Sequence, residues 1–118
     1  MSGVVEYVSQ YTVSALPREH PEHYSWALTV EWRGKGWAVT RHSFVFCKTD
    51  ARRKRPQGTY DRLPSGRSDA HLRTYRHSLE DALDIARKIA PKITINGWTV
   101  PEVLAKWEAR QAREAAAS

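Results

Sequence analysis

The feature that most constrains the fold is a strict alternation of large apolar side chains with smaller or polar ones. It runs over residues 24–33, and its apolar members are Tyr24, Trp26, Leu28, Val30 and Trp32. A period of two residues is typical of a strand with one buried face. The tripeptide Gly34-Lys35-Gly36 follows, and because glycine tolerates positive φ, it predicts a tight turn into an antiparallel partner strand.

Neighbouring segments extend this hairpin into a sheet. Residues 4–16 also alternate and predict a first strand, which Pro17 ends. Residues 37–48 predict the partner strand after the turn. The apolar phase of this strand shifts midway. Either a β-bulge near residues 41–43 moves the register or the strand is covered on both faces, and we favour the bulge. Residues 59–63 predict a short returning strand, so the segment before them forms the tip of a long hairpin.

The last third of the chain has the pattern of helices. Ser78 with Asp81 three residues later predicts an N-cap. The apolar positions that follow share one helical face, namely Leu79, Ala82, Leu83, Ala86, Ile89 and Ala90. Pro91 ends this helix. Residues 92–95 predict a short strand, and Thr99 with Glu102 predicts a capping box for a second helix.

These elements predict one α+β domain, residues 1–118, with an antiparallel β-meander of three to four strands packed against two C-terminal helices. No apolar run approaches the roughly 18 residues that a membrane span requires. The N-terminus lacks the basic and apolar regions of a signal peptide. Cys47 is the only cysteine, so an internal disulfide is excluded and a reducing, cytoplasmic setting is expected.

The positive charge is concentrated in the middle of the chain. The formal net charge is +6, yet residues 41–76 alone hold ten Lys or Arg and only three Asp, a net +7. The remainder of the chain is therefore close to neutral, at −1. A localised basic field attracts polyanions and accelerates their encounter.

This basic segment is the predicted partner-binding surface. Its candidate contact residues are Lys48, Arg52, Arg53, Lys54, Arg55, Arg62, Arg67, Arg73 and Arg76. Tyr60 and Tyr75 are aromatic residues within the segment that bases can stack on. The first partner we consider is nucleic acid, although no recognised nucleic-acid motif is present. An acidic host protein is the alternative, and a solvated loop without a ligand is the third interpretation.

Trp98 is the predicted centre of a separate protein interface, because it follows the turn-forming pair Asn96-Gly97. We expect the other four tryptophans to lie in the core. An unpaired strand at the sheet edge would also allow a homodimer.

Histidine pairs invite two chemical interpretations. His20 and His23 are three residues apart, but zinc needs three or four ligands and Cys47 is the only thiol. We therefore expect no metal and no cofactor, with both histidines in a solvated loop. His42 and His71 resemble the His-x-Ser/Thr pairs of small phosphoesterases, yet each nearby hydroxyl lies one position out of place. Because the match is incomplete, a phosphoesterase is only a third functional alternative, and no catalytic residue is assigned.

Several motifs in the second half carry a resemblance to a known type of protein. They are YDRLPS at residues 60–65, RSDAHL at residues 67–72, the helix SLEDALDIARKIAP and the run ITINGWTVPE. This half, residues 44–102, resembles small proteins encoded by actinobacterial phages and prophages. The resemblance implies a small α+β fold and a mobile-element origin, and it supplies no catalytic residues. The sequence departs from the type at residues 52–55, where a short acidic or neutral turn is expected.

Overall fold

The structure, a computed structural model, describes residues 3–117 and contains a five-stranded antiparallel sheet with strand order β1-β2-β3-β4-β5. The strands are β1 (Gln10–Ser14), β2 (Ala27–Trp32), β3 (Trp37–Arg41), β4 (Phe44–Phe46) and β5 (Thr59–Tyr60). Each strand pairs with the next one along the chain. The sheet is therefore a meander, and the predicted α+β fold is confirmed.

Four α-helices, two short 3₁₀ helices (Pro64–Gly66 and Ala90–Lys92) and a small hairpin complete the described chain. The helices are α1 (Lys48–Ala51), α2 (Asp69–Tyr75), α3 (Leu79–Ile89) and α4 (Val100–Ala117). Strands β6 (Thr94–Ile95) and β7 (Trp98–Thr99) form the hairpin, which turns at Asn96-Gly97. Within residues 3–117, no helix has the length and apolar character required to cross a membrane.

The alternation in β2 builds the core as predicted. Trp26, Leu28 and Val30 are buried on the face that α3 covers, and Tyr24 and Trp32 at the two ends are exposed. Burial of each aliphatic side chain contributes about 1.5–3 kcal/mol. Helix α3 contributes Ala82, Ile85, Ala86 and Ile89 to the same core.

The predicted bulge is wrong, because the chain reverses there. Strands β3 and β4 are separate, and Arg41 pairs directly with Phe44 across a two-residue turn in which His42 has φ of 56°. The shift in apolar phase reflects this reversal, because Val39 and Phe46 become cross-strand partners on one face. A histidine is a weak turn signal, although it adopts positive φ more readily than most residues.

The first strand is shorter than predicted. It spans Gln10–Ser14, whereas Val4, Val5, Tyr7 and Val8 are exposed. Strand β2 ends at Trp32, whose amide donates to the carbonyl of Ser9 at 2.9 Å. Residues 3–8 therefore have no strand beside them, and the alternation that begins at Val4 does not correspond to a buried face.

Both predicted helix starts are confirmed. Ser78 Oγ accepts a hydrogen bond from the Asp81 amide at 3.1 Å at the start of α3. At the start of α4, the Thr99 amide donates to Glu102 Oε1 at 3.1 Å, and the Glu102 amide donates to Thr99 Oγ1 at 3.4 Å. Only Val100 of α4 is buried. The long helix therefore extends from the domain, and the radius of gyration is 17.2 Å, against about 13.5 Å for a compact chain of this length.

Helix α2 was not predicted from the sequence, and it lies on the face of the sheet opposite α3. Tyr75 of α2 places its hydroxyl 2.9 Å from Thr59 Oγ1. Thr59 lies on the same face as Thr40 and Val45, which are both buried. Helix α2 thus covers the face of the sheet opposite α3 at Thr40 and Val45, and the two faces carry different chemistry.

Candidate functional site

The four consecutive cations Arg52, Arg53, Lys54 and Arg55, here called the basic loop, are all exposed. They directly follow α1, whose C-cap is Arg52. In the part of the chain that the structure describes, no carboxylate lies within ion-pairing distance of any of the four. The loop therefore presents a concentrated and uncompensated positive charge.

Both ends of the basic loop are held against the domain. Before it, the Cys47 amide donates to Asp50 Oδ2 at 2.9 Å, and Lys92 Nζ donates to the Ala51 carbonyl at 2.6 Å. After it, Gly58 has φ of 73°, and a Cβ there would lie 2.9 Å from the Val45 carbonyl oxygen and 3.0 Å from the Phe46 ring. These contacts fix where the loop leaves and rejoins the sheet.

A cleft of about 470 Å³, here called the cationic cleft, lies beside the basic loop. Arg41, Arg55 and Lys92 contribute its positive charge, and Phe44 and Phe46 contribute aromatic surface. No carboxylate lines it. The cleft therefore continues the positive field of the loop over a partly apolar surface.

A hydrogen bond positions Arg41 at the cleft. Its Nη2 donates to the Ser25 carbonyl at 3.0 Å, and burial lowers the pKa of its guanidinium. Its Nε is buried and has no hydrogen-bond partner among the described residues. Arg41 was not among the predicted contact residues, because in the sequence it is one cation within a predicted strand.

An exposed row of side chains crosses the sheet next to the cleft. Arg41 on β3 pairs with Phe44 on β4, and Phe44 pairs with Tyr60 on β5. Directly paired residues share a face, so these three side chains form a cation and two aromatic rings in sequence across the sheet. Phe44 is 43% exposed and Tyr60 is 66% exposed. We call Phe44 and Tyr60 the aromatic pair.

Other predicted contact residues lie away from the basic loop. Arg67 Nε donates to the Arg62 carbonyl at 2.7 Å, and its Nη2 lies 3.5 Å from Asp61 Oδ1. Asp61 also holds Arg33, with Nη1 2.7 Å from Oδ2, and Arg33 bonds Glu31 as well. This cluster lies on the face that α2 covers. The carboxylate of Asp61 compensates the charge of Arg67.

Arg76 is buried rather than exposed, which corrects its prediction as a surface contact. Only 9% of it is exposed, because it crosses beside the turn at Gly36, where an added Cβ would lie 3.1 Å from the Arg76 Cβ. Its Nη1 donates to the Tyr75 carbonyl at 2.9 Å. Burial lowers the pKa of this guanidinium, and the nearby cations of Arg33 and Arg67 lower it further.

The remaining predicted cations are exposed. Arg62 and Arg73 are exposed near α2, on the opposite side of the sheet from the cationic cleft, and Lys48 pairs with Asp81 at 3.2 Å. An exposed pair of this kind contributes little to stability. Tyr75 is half-buried, with its hydroxyl at Thr59, whereas Tyr60 is exposed at the cleft side.

Trp98 is partly exposed, as expected, at a second cleft of about 520 Å³. Lys106 Nζ lies 5.1 Å from the centre of its ring. The expectation of four core tryptophans is wrong for Trp32, which is 49% exposed at the end of β2. Trp26, by contrast, is deeply buried.

The histidines are dispersed. His20 is buried rather than solvated, with its ring centre 5.4 Å from that of Trp107 and its Nδ1 accepting from the Glu22 amide. His42 lies at the exposed turn by the cationic cleft, whereas His71 is buried on the opposite face. Among residues 3–117, no three His, Cys, Asp or Glu side chains are grouped closely enough to hold a metal ion.

Comparisons with known proteins identify no relative. No family model, no curated protein and no solved structure matches this chain.

Proposed function

We propose that the chain is a non-enzymatic binding module that contacts nucleic acid through the basic loop and the cationic cleft. One observation carries the proposal: among residues 3–117, the four exposed cations of the basic loop have no carboxylate partner, and the last of them, Arg55, joins Arg41 and Lys92 in a cleft without an acid in its lining. Phosphodiester backbones are the most abundant polyanions that such a surface attracts. The phage-like resemblance suggests a host cytoplasm as the setting.

The expected mode of attachment is contact with phosphates. Guanidinium groups bind phosphate oxygens with two parallel hydrogen bonds, and three of the four loop residues are arginines. Each neutralised phosphate releases condensed counterions, so affinity falls steeply with salt. With about four contacts, we expect a loss of about 10²-fold between 50 and 200 mM salt.

Fluorescence anisotropy of labelled oligonucleotides across a salt series tests the proposal. The variant R52A/R53A/R55A removes three loop cations and is expected to flatten the salt slope by about two to three. The variant R87A/R110A/R113A is the matched control, because it removes the same charge from exposed positions on α3 and α4. The control is expected to bind nearly as the parent chain does.

Two outcomes would overturn the proposal. One is an absence of oligonucleotide binding at 20 mM salt. The other is equal loss of affinity in both triple variants, which would mean that net charge alone is responsible. Poly-L-glutamate serves as the probe for the alternative, an acidic protein partner. If it binds more tightly than oligonucleotide at matched charge, the acidic-protein alternative replaces the proposal.

A further inference from the structure

We infer that the nucleic acid is single-stranded, with unpaired bases stacking on the aromatic pair while the phosphates lie on the cationic cleft and the basic loop. This inference rests on the proposed function and specifies its substrate class.

The geometry of the aromatic pair supports this substrate class. Phe44 and Tyr60 are direct cross-strand partners, and such partners have Cβ atoms about 5 Å apart. Both rings remain exposed, whereas Val45, the next residue on β4, is fully buried on the opposite face of the sheet. Two adjacent exposed rings on a sheet are a stacking platform, because every base has a π face.

The charges around the pair are arranged for a backbone that passes beside it. Arg41 flanks Phe44 on the side away from Tyr60, and Arg55 and Lys92 line the cleft beneath. Arg41 lines the cleft with its Nη2 bonded to the Ser25 carbonyl, so its terminal guanidinium N–H groups are placed to donate to a phosphate oxygen. Lys92 is already tied to the Ala51 carbonyl, which leaves Arg41 and Arg55 as the principal phosphate contacts.

The carboxylate that follows the aromatic pair in the sequence is directed away from this surface. Asp61 follows Tyr60 in the chain, but its oxygens bond Arg33 and Arg67 on the opposite face. A backbone that approaches the aromatic pair is therefore not opposed by Asp61, and no carboxylate among the described residues lines the cleft. This separation of acid and base onto two faces distinguishes the cleft side from the α2 side.

Duplex nucleic acid makes poor use of the same surface. Its bases are stacked within the helix, so their faces are not available to Phe44 and Tyr60. The basic loop by itself binds either form through phosphates. The aromatic pair therefore adds affinity for single strands alone, which is the property that an experiment can isolate.

Anisotropy with 12-nucleotide single strands and a 12-base-pair duplex, as both DNA and RNA, tests the inference. We expect F44A/Y60A to weaken single-strand binding at least tenfold and to change duplex binding less than twofold. The variant Y24A is the matched control, because Tyr24 is 75% exposed and does not line the cleft. The variant F44L retains apolar bulk without a ring, and we expect it to behave as F44A does.

A second readout follows stacking directly. An oligonucleotide with one 2-aminopurine is expected to lose emission on binding to the parent chain and to retain it with F44A/Y60A. If F44A unfolds, Y60A and F44L carry the test, because Tyr60 is mostly exposed and leucine preserves the contact with the core side of β4.

The two proposals fail in different ways. If no oligonucleotide binds, the proposed function fails and the inference falls with it. If single strands and duplex bind equally well and F44A/Y60A leaves both affinities unchanged, the inference alone is overturned. Comparison of the DNA and RNA strands then shows whether the 2′-hydroxyl contributes.

Discussion

At the scale of single residues, Asp61 determines which arginines are compensated. Its carboxylate bonds Arg33, 28 positions earlier in the chain, and lies near Arg67. The basic loop has no such acid. A count of charges along the sequence does not distinguish the arginines that Asp61 compensates from the uncompensated cations of the basic loop. The reason is that the pairing of Arg33 with Asp61 depends on how β2 and β5 are placed in the sheet.

One buried histidine, His71, and one half-buried histidine, His77, give stability a defined pH dependence. Burial lowers the pKa of His71, and the cations of Arg76, Arg62 and Arg67 lower it further against the opposing effect of Asp61. Burial also lowers the pKa of His77; nearby Lys48 and Arg76 add to this, while a hydrogen bond to the Phe46 carbonyl and the charge of Asp81 oppose it. In both cases the folded chain resists a proton that the unfolded chain accepts.

The sign of the effect follows from this difference. Above the ordinary histidine pKa of about 6.5, both states are neutral at these positions and stability is at its full value. As pH falls below 6.5, the unfolded state binds protons first, so the free energy of unfolding decreases. Urea denaturation between pH 7.5 and 5 is expected to show this loss, and the variant H71Q/H77Q is expected to show a flatter profile. An unchanged profile in the double variant would contradict the assignment.

At the scale of secondary-structure elements, the sequence predicted regular periodicity well and chain reversals poorly. The alternation in β2 and the caps at Ser78 and Thr99 are local signals, and all three are confirmed. The turn at His42 lacked glycine or asparagine, so a reversal looked like a bulge. Ile85 was left out of the predicted face of α3, although the structure buries it completely against the sheet.

The site was predictable only in part for the same reason. The basic loop is evident in the sequence as four consecutive basic residues, and Tyr60 lies close to it along the chain. Phe44 and Arg41 join the site only through strand register, which the misplaced reversal concealed. Lys92 also belongs to the site, and it bonds the Ala51 carbonyl although the two residues are 41 positions apart in the sequence.

Gly58 determines how closely β5 approaches β4, and this can be tested by comparison with Gly34. Both have positive φ, at 73° and 76°, so alanine at either costs about 1–2 kcal/mol of backbone strain. At Gly34 the new Cβ would meet no atom within 4 Å, whereas at Gly58 it would overlap the Val45 carbonyl and the Phe46 ring. We expect G58A to lose at least about 1 kcal/mol more than G34A in urea unfolding. Equal losses would show that the close approach is not required.

At the scale of the whole molecule, charge and shape are both asymmetric. On one face of the sheet, Glu31 and Asp61 bond arginines. On the other face lies the cationic cleft, and the charged residues in its described lining are all cations. Helix α4 extends from the other end of the domain and buries little. Among residues 3–117, the cations of the basic loop thus have no carboxylate partner that would explain them as stabilising contacts.

This asymmetry predicts that the basic loop opposes folding at low salt. Four like charges within four residues repel one another, and the repulsion extends about 30 Å at 0.01 M ionic strength but about 3 Å at 1 M. We therefore expect R52A/R53A/R55A to have a melting temperature at or above that of the parent chain at 0.01 M salt, with the difference disappearing by 1 M. The control R87A/R110A/R113A removes equal charge from dispersed helical positions and is expected to gain less. Calorimetry across the salt series measures both. A lower melting temperature for the loop variant at every salt concentration would mean that these cations stabilise the fold, and that their exposure does not require a binding role to explain it.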